Sequence, residues 1–128
     1  MNEANVPPVA VGDSERLRRV VRNPDRVRDG KPHYMEFYSS TEPARISVDR
    51  AAYRPLERTL EGWPPGARAA VVVAGDVRAL AFSPPLRVES CPEDGNEAHA
   101  EIRASADVSK NFIRTKVCVQ LAGISLVE

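Results

Sequence analysis

The run RAAVVVA at 68–74 constrains this chain more than any other stretch. Its three consecutive valines are β-branched, stiff at χ1 and suited to a pleated surface, so the run reads as a strand. It is apolar on both faces, which places it in the middle of a sheet with cover on both sides. The rest of the chain must supply that cover. At 128 residues the chain is one domain, and a domain of this size buries about two-thirds of its unfolded surface.

Period-two alternation marks further strands. At 32–40, His33, Met35 and Phe37 fall on one side and Tyr34, Glu36 and Tyr38 on the other. At 45–50, Ile46 and Val48 point inward. The polar loop 39–43 between the two segments suggests a hairpin. Leu86, Arg87 and Val88 follow two prolines, which suits an edge strand. Read as a strand, 97–102 puts Glu97, His99 and Glu101 on one face and Ala98, Ala100 and Ile102 on the other. Leu17, Val20 and Val21 fit a short helix or a strand, and Asn23-Pro24 ends either one. Asp29-Gly30 is a turn signal. Residues 77–82 stay open between helix and strand.

Helical spacing occurs twice. At 55–61, Pro55 fits the first helical position, Gly62 fits the C-terminal cap, and Leu56 and Leu60 share a face with Trp63 closing the core beneath. At 107–122, Val108, Phe112, Lys116 and Val119 with Ile113, Val117, Gln120 and Leu121 form a broad stripe. Ser105 or Asp107 is its expected cap and Gly123 its stop. Residues 124–128 read as a tail or a last strand. The expected fold is therefore α+β, a small, mostly antiparallel sheet with one long C-terminal helix packed on one face and a short second helix. Residues 1–13 are expected as a flexible N-terminal tail and 14–128 as a single domain.

Lys+Arg and Asp+Glu both total 18, so net charge predicts no partner, but the layout is uneven. Arg16, Arg18, Arg19, Arg22, Arg26, Arg28 and Lys31 face only Asp25 and Asp29 within 16–31. Glu89, Glu93, Asp94, Glu97 and Glu101 have no Lys or Arg among them within 89–101. Arginine binds phosphate oxygens bidentately, which makes Arg19, Arg22 and Arg26, with His33 just beyond, the candidate polyanion contacts. Most charge runs are solvated faces, and the sparse aromatics argue against single-strand binding. Ser47, Asp49 and Arg50 form a second polar candidate, with a cross-strand salt bridge as the ordinary alternative.

His99 is the remaining candidate. Neighbours in the row Glu97, His99, Glu101 would lie about 6.5–7 Å apart on one straight strand, too far for all three to reach one metal. A metal would need Asp94 or Cys91 to fold back. A surface histidine, or one paired with a carboxylate, is the plainer reading, so no metal and no cofactor are expected. Cys91 and Cys118 are too few for a disulfide framework and read as reduced thiols, with Cys91 and His99 as a faint thiolate pair. There is no Gly-x-Ser-x-Gly and no phosphate-cradling glycine loop. No apolar run reaches membrane-spanning length and no apolar leader core opens the chain, so a cytoplasmic protein with no membrane contact is expected. The excess of Arg over Lys, with abundant Ala, Val and Pro, suggests a high-GC bacterial source.

The succession Arg19-Val20, Asp29-Gly30, Phe37, ISVDR at 46–50, GDVRAL at 75–80 and NEAHAEI at 96–102 resembles a family of small uncharacterised bacterial proteins, over about 16–122. The resemblance implies no activity and lends no catalytic residue. The expected function is a non-enzymatic accessory or interaction module that binds a protein partner or a polyanion through the Arg-rich segment. A protein partner is the first expectation and nucleic acid the second. The alternative is a small enzyme acting on a nucleotide or nucleic acid, nuclease-like or ADP-ribosyltransferase-like, with Arg22, His33 and His99 near one cleft. Some ADP-ribosyltransferase folds use a similar order to Arg19 or Arg22, then Ser39, Ser40 or Thr41, then Glu101.

Overall fold

The computed structural model describes residues 6–41 and 43–128. Its strands are β1 (Arg16–Val21), β2 (Arg45–Arg50), β3 (Arg68–Val73), β4 (Arg87–Ser90), β5 (His99–Arg103) and β6 (Leu126–Val127). They form one sheet in the order β4-β5-β2-β1-β3-β6, and every pairing is antiparallel. The valine run is β3, paired on both sides as its composition demands. The middle of the sheet, however, is β1 and β2, and β3 lies beside the short edge strand β6. No helix of the described residues is long and apolar enough to cross a membrane.

The two faces of the sheet differ in chemistry. Leu17, Val21, Ile46, Val48, Ala70, Val72, Val88, Ala100 and Ile102 are buried on the inner face. That face is covered by α2 (Ala74–Arg78), by a 3₁₀ turn at Tyr34–Phe37 and by the helical segment 110–124. Val77, Phe37, Ile113, Val117 and Leu121 from these elements join the same buried cluster. The outer face carries Arg18, Ser47, Asp49, His99, Glu101 and Arg103, and the short helix α1 (Leu56–Thr59) and the loop between β4 and β5 reach Asp49 on it.

The segment 110–124 is shorter and less regular than the helix expected at 107–122. It comprises α3 (Lys110–Phe112), a π-helical stretch (Ile113–Val117) and α4 (Cys118–Ile124). Ser109 is the cap, its Oγ accepting from Phe112 N at 3.1 Å, because Ser105 and Asp107 bond each other instead. Only Ile113, Val117 and Leu121 of the predicted stripe are buried, with Cys118 beside them, whereas Phe112, Lys116, Val119 and Gln120 are exposed.

The strand and hairpin expected from 32–40 do not form. His33 caps the 3₁₀ turn through Nδ1, which accepts from Met35 N at 3.2 Å. Glu36, expected on one strand face with Tyr34 and Tyr38, is buried and accepts from the backbone N–H groups of Arg22 and Asn23 at 2.8 and 3.1 Å. These bonds satisfy the donors left where β1 ends, and three alternating pairs of side chains cannot outweigh that gain. Trp63, expected in the core, is 43% exposed.

Of the tail expected at 1–13, residues 1–5 lie outside the described residues. Within the described part of it, Val11 is buried and Asp13 O accepts from Gly75 N at 2.8 Å. A Cβ on Gly75 would stand 2.9 Å from that oxygen, so only glycine permits the approach. Arg50 binds the segment from the inner face. Its fully buried guanidinium pairs with both carboxylate oxygens of Glu15 at 2.8 and 2.7 Å. It also donates to Pro8 O at 2.6 Å and Ala10 O at 3.2 Å, and lies 5.0 Å from the centre of the Tyr53 ring. A candidate binding residue in the sequence, Arg50 is thus enclosed and faces no solvent.

The hydrogen bond from Arg50 holds the Glu15 carboxyl below its usual range, against the opposing effect of burial. Its contribution to stability is full above the ordinary carboxylate value and is lost as pH falls through the lowered folded value. Glu15→Gln leaves the Arg50 charge buried without its counter-ion and should cost about 3–5 kcal/mol. A urea titration checks this through the unfolding midpoint, and the variant should also lose much of the acid dependence of the wild type.

Candidate functional site

A cleft of about 310 Å³ opens on the outer face, between β1, β2 and the loop that carries α1. Asp49 forms its floor. One carboxylate oxygen accepts from Thr59 Oγ1 at 2.8 Å and the other from Asn96 Nδ2 at 2.7 Å, tying α1 and the β4–β5 loop to the sheet. Arg54 Nε lies 3.4 Å from the same carboxylate but makes no hydrogen bond there. The other charged groups around the cleft are Arg18, Arg19, Arg22, Arg58 and Glu61, with Trp63 beside them.

These arginines are not equally available. Arg18 is held by Glu128 at 2.8 Å and by the carbonyl of Arg54 at 2.8 Å. Arg54 donates to the carbonyls of Gly95 and Arg58, each at 3.2 Å. Arg22 and Arg58 are different. Their side chains are each 54% exposed, and their nearest acids, Glu36 and Glu61, lie 3.6 and 3.4 Å away. The Arg58–Glu61 pair is exposed on both sides and holds its cation only weakly, while buried Glu36 spends its carboxylate on the backbone N–H groups of Arg22 and Asn23. Ser47 lines the cleft with Asp49, so two of the sequence candidates meet there with Arg22.

Arg19 also borders the cleft, whereas Arg26, His33, Arg50 and His99 lie elsewhere. Arg19 turns to the inner side and spends its guanidinium on the carbonyls of Glu36, Ser47 and Tyr38 at 2.7, 2.9 and 3.1 Å. Burial, with the nearby charge of Arg22, lowers it to about 10. Arg26 Nη2 lies 2.7 Å from His33 Nε2, and the His33 and Tyr34 ring centres are 4.4 Å apart. Burial and the Arg26 charge lower the His33 pKa. His99 is buried on β5 beside Cys91. Neither histidine lines the cleft with Arg22. Arg19 and Glu101 sit on opposite faces of the sheet, which separates the residues that the ADP-ribosyltransferase-like order would bring together.

Arg18, Arg54, Arg58, Thr59, Trp63 and Asn96 were not singled out in the sequence. Pro55, Gly62 and Pro64 bracket a short helix with an exposed tryptophan, but the side of the sheet it covers is a tertiary choice. No family model, curated protein or solved structure matches the chain.

The two thiols differ in reach. Cys118 is buried in α4, and burial pushes it up to about 11 although the Arg19 charge acts the other way. Cys91 is partly exposed at the end of β4. After chelator treatment, a disulfide reagent at pH 8 should titrate one thiol in the native protein and two in denaturant. Two fast thiols in the native protein would contradict this burial of Cys118.

Proposed function

We propose that the protein is a non-enzymatic interaction module whose outer-face cleft takes an acidic segment of a protein partner. The observation that carries this reading is the pairing of two half-exposed arginines, Arg22 and Arg58, with the exposed Trp63 around one cleft. The remaining cations there are engaged internally. Trp and Arg are the side chains that most often dominate binding energy at protein interfaces, since each buries a large rigid surface and keeps a polar handle. Opposite charge on the partner would steer its approach. A bacterial source belongs to this reading, as the resemblance to a family of small bacterial proteins suggests. That resemblance rests on the residues quoted above.

Trp63 is the only tryptophan, so its emission reports on the cleft directly. Titration with poly-glutamate should change that emission saturably, and the effect should weaken with added salt. Replacing both Arg22 and Arg58 with Glu should weaken binding about tenfold or more while leaving the thermal transition in place. A single-stranded oligonucleotide is the parallel probe. A stronger response to it would move the reading to nucleic acid, and no response to either would overturn the cleft as a binding site.

A further inference from the structure

The end of the β4–β5 ladder brings a thiol, an imidazole and a carboxylate together on the outer face. Cys91 N donates to His99 O at 2.9 Å, so these residues oppose each other across the ladder. Glu101 lies two positions beyond His99 on β5 and therefore shares its face. One ligand atom from each of Cys91, His99 and Glu101 lies within 4.8 Å of the other two. Around a tetrahedral zinc ion, donors at ordinary bond lengths stand about 3.3–3.8 Å apart, so side-chain rotation of about an ångström closes the set. Cys91 thus provides the fold-back that a single strand could not. A donor set of sulfur, nitrogen and oxygen is the kind zinc selects.

The surroundings of His99 are compatible with that donor set. Its Nδ1 lies 2.8 Å from the carbonyl oxygen of Cys91, and its Nε2 lies 2.9 Å from a carboxylate oxygen of Glu93. Both neighbours are acceptors, yet a neutral imidazole has a single N–H. When that proton sits on Nδ1 and bonds the carbonyl, the Nε2 lone pair faces a carboxylate. A proton on Nε2 satisfies that contact, and a metal ion could take the proton's place once the two groups move apart. An Nδ1–H bond to a backbone carbonyl is also the arrangement that orients a metal-bound imidazole. Glu101 is prepared in a comparable way. Arg103 places two hydrogen bonds on its Oε1, at 2.9 and 2.6 Å, and leaves Oε2 for another partner. Arg103 also contacts Glu89 at 3.1 Å, so its charge is shared between two carboxylates.

We propose that Cys91, His99 and Glu101 bind a zinc ion through Sγ, Nε2 and Oε2, with Glu93 turned into the fourth position. Binding converts the Cys91 thiol to a thiolate, and the proton is released to solvent as the Zn–S bond forms. The ion fastens the loop between β4 and β5 to the sheet. It also offsets the acidic charge of 89–101, a segment with no Lys or Arg of its own. Asn96 of that loop bonds Asp49, so the metal would steady one wall of the cleft as well.

The test uses the full chain after chelator treatment, titrated with Zn²⁺ and separately with Co²⁺. One equivalent of zinc should bind and should slow modification of Cys91 by a disulfide reagent at least about tenfold. Cobalt should give tetrahedral d–d absorption together with a thiolate charge-transfer band. Cys91→Ser and His99→Gln should each weaken zinc by more than the ~10–100-fold that loss of a merely supporting group costs, while Cys118→Ser should leave it unchanged. Thiol protection is read on the wild-type chain, so the test survives if a variant fails to fold. Cobalt absorption without the thiolate band, or a Cys91 reaction rate that zinc does not alter, would overturn the proposal.

Discussion

A guanidinium with no exposure to solvent stands at the structural centre of this protein. Arg50 ends β2, one of the two middle strands, and its side chain projects into the inner face among apolar groups. A buried charge is tolerable only when it is paired and its donors are spent. Glu15 supplies the counter-charge, and the carbonyls of Pro8 and Ala10 accept the remaining bonds. The residues that satisfy Arg50 therefore come from the segment leading into β1, and that segment must lie across the sheet. Arg78 repeats the device nearby, donating to Asp13, to Val11 O and to Val88 O. The close passage of Gly75 beside Asp13 completes the enclosure.

This division of labour explains why so many arginines coexist with a net charge of zero. Strand parity sends Arg19 and Arg50 to the inner side, where they cross-link backbone carbonyls and a single carboxylate. The same parity sends Arg18, Asp49, His99 and Glu101 outward. Arginine suits the inner role because its fork of donors can serve several carbonyls at once while its charge is retained. On the outer face the charges are partly matched, and the half-exposed Arg22 and Arg58 hold only distant acids. The basic stretch at 16–31 is therefore two populations with different roles.

Much of the sheet was legible in the sequence because period-two patterning and β-branching act locally. The valine run, the alternation at 45–50 and the pattern around His99 each produced the expected strand. Proline and glycine punctuation likewise placed α1 and the turn at Asp29-Gly30, where φ is +53° and +75°. The failures share one cause. Alternation put Glu36 on one face of a strand, but its carboxylate is held by two backbone N–H groups at the end of β1, and no strand forms there. Arg19 and Arg50 were marked as binding residues because charge normally means surface. Their partners come from elements whose placement only the folded chain defines. The meeting of Cys91 with His99 depends on the β4–β5 register, which the residue types alone do not specify.

The account turns on the claim that inward arginines build the fold while outward ones meet the partner. Arginine side-chain Nε–Hε resonances, recorded with and without poly-glutamate, test it most directly. Arg19 and Arg50 should give slowly exchanging, well-dispersed signals that do not move, whereas those of Arg22 and Arg58 should shift together along one binding curve. Movement of the Arg19 and Arg50 signals, or their rapid exchange with water in the free protein, would contradict it.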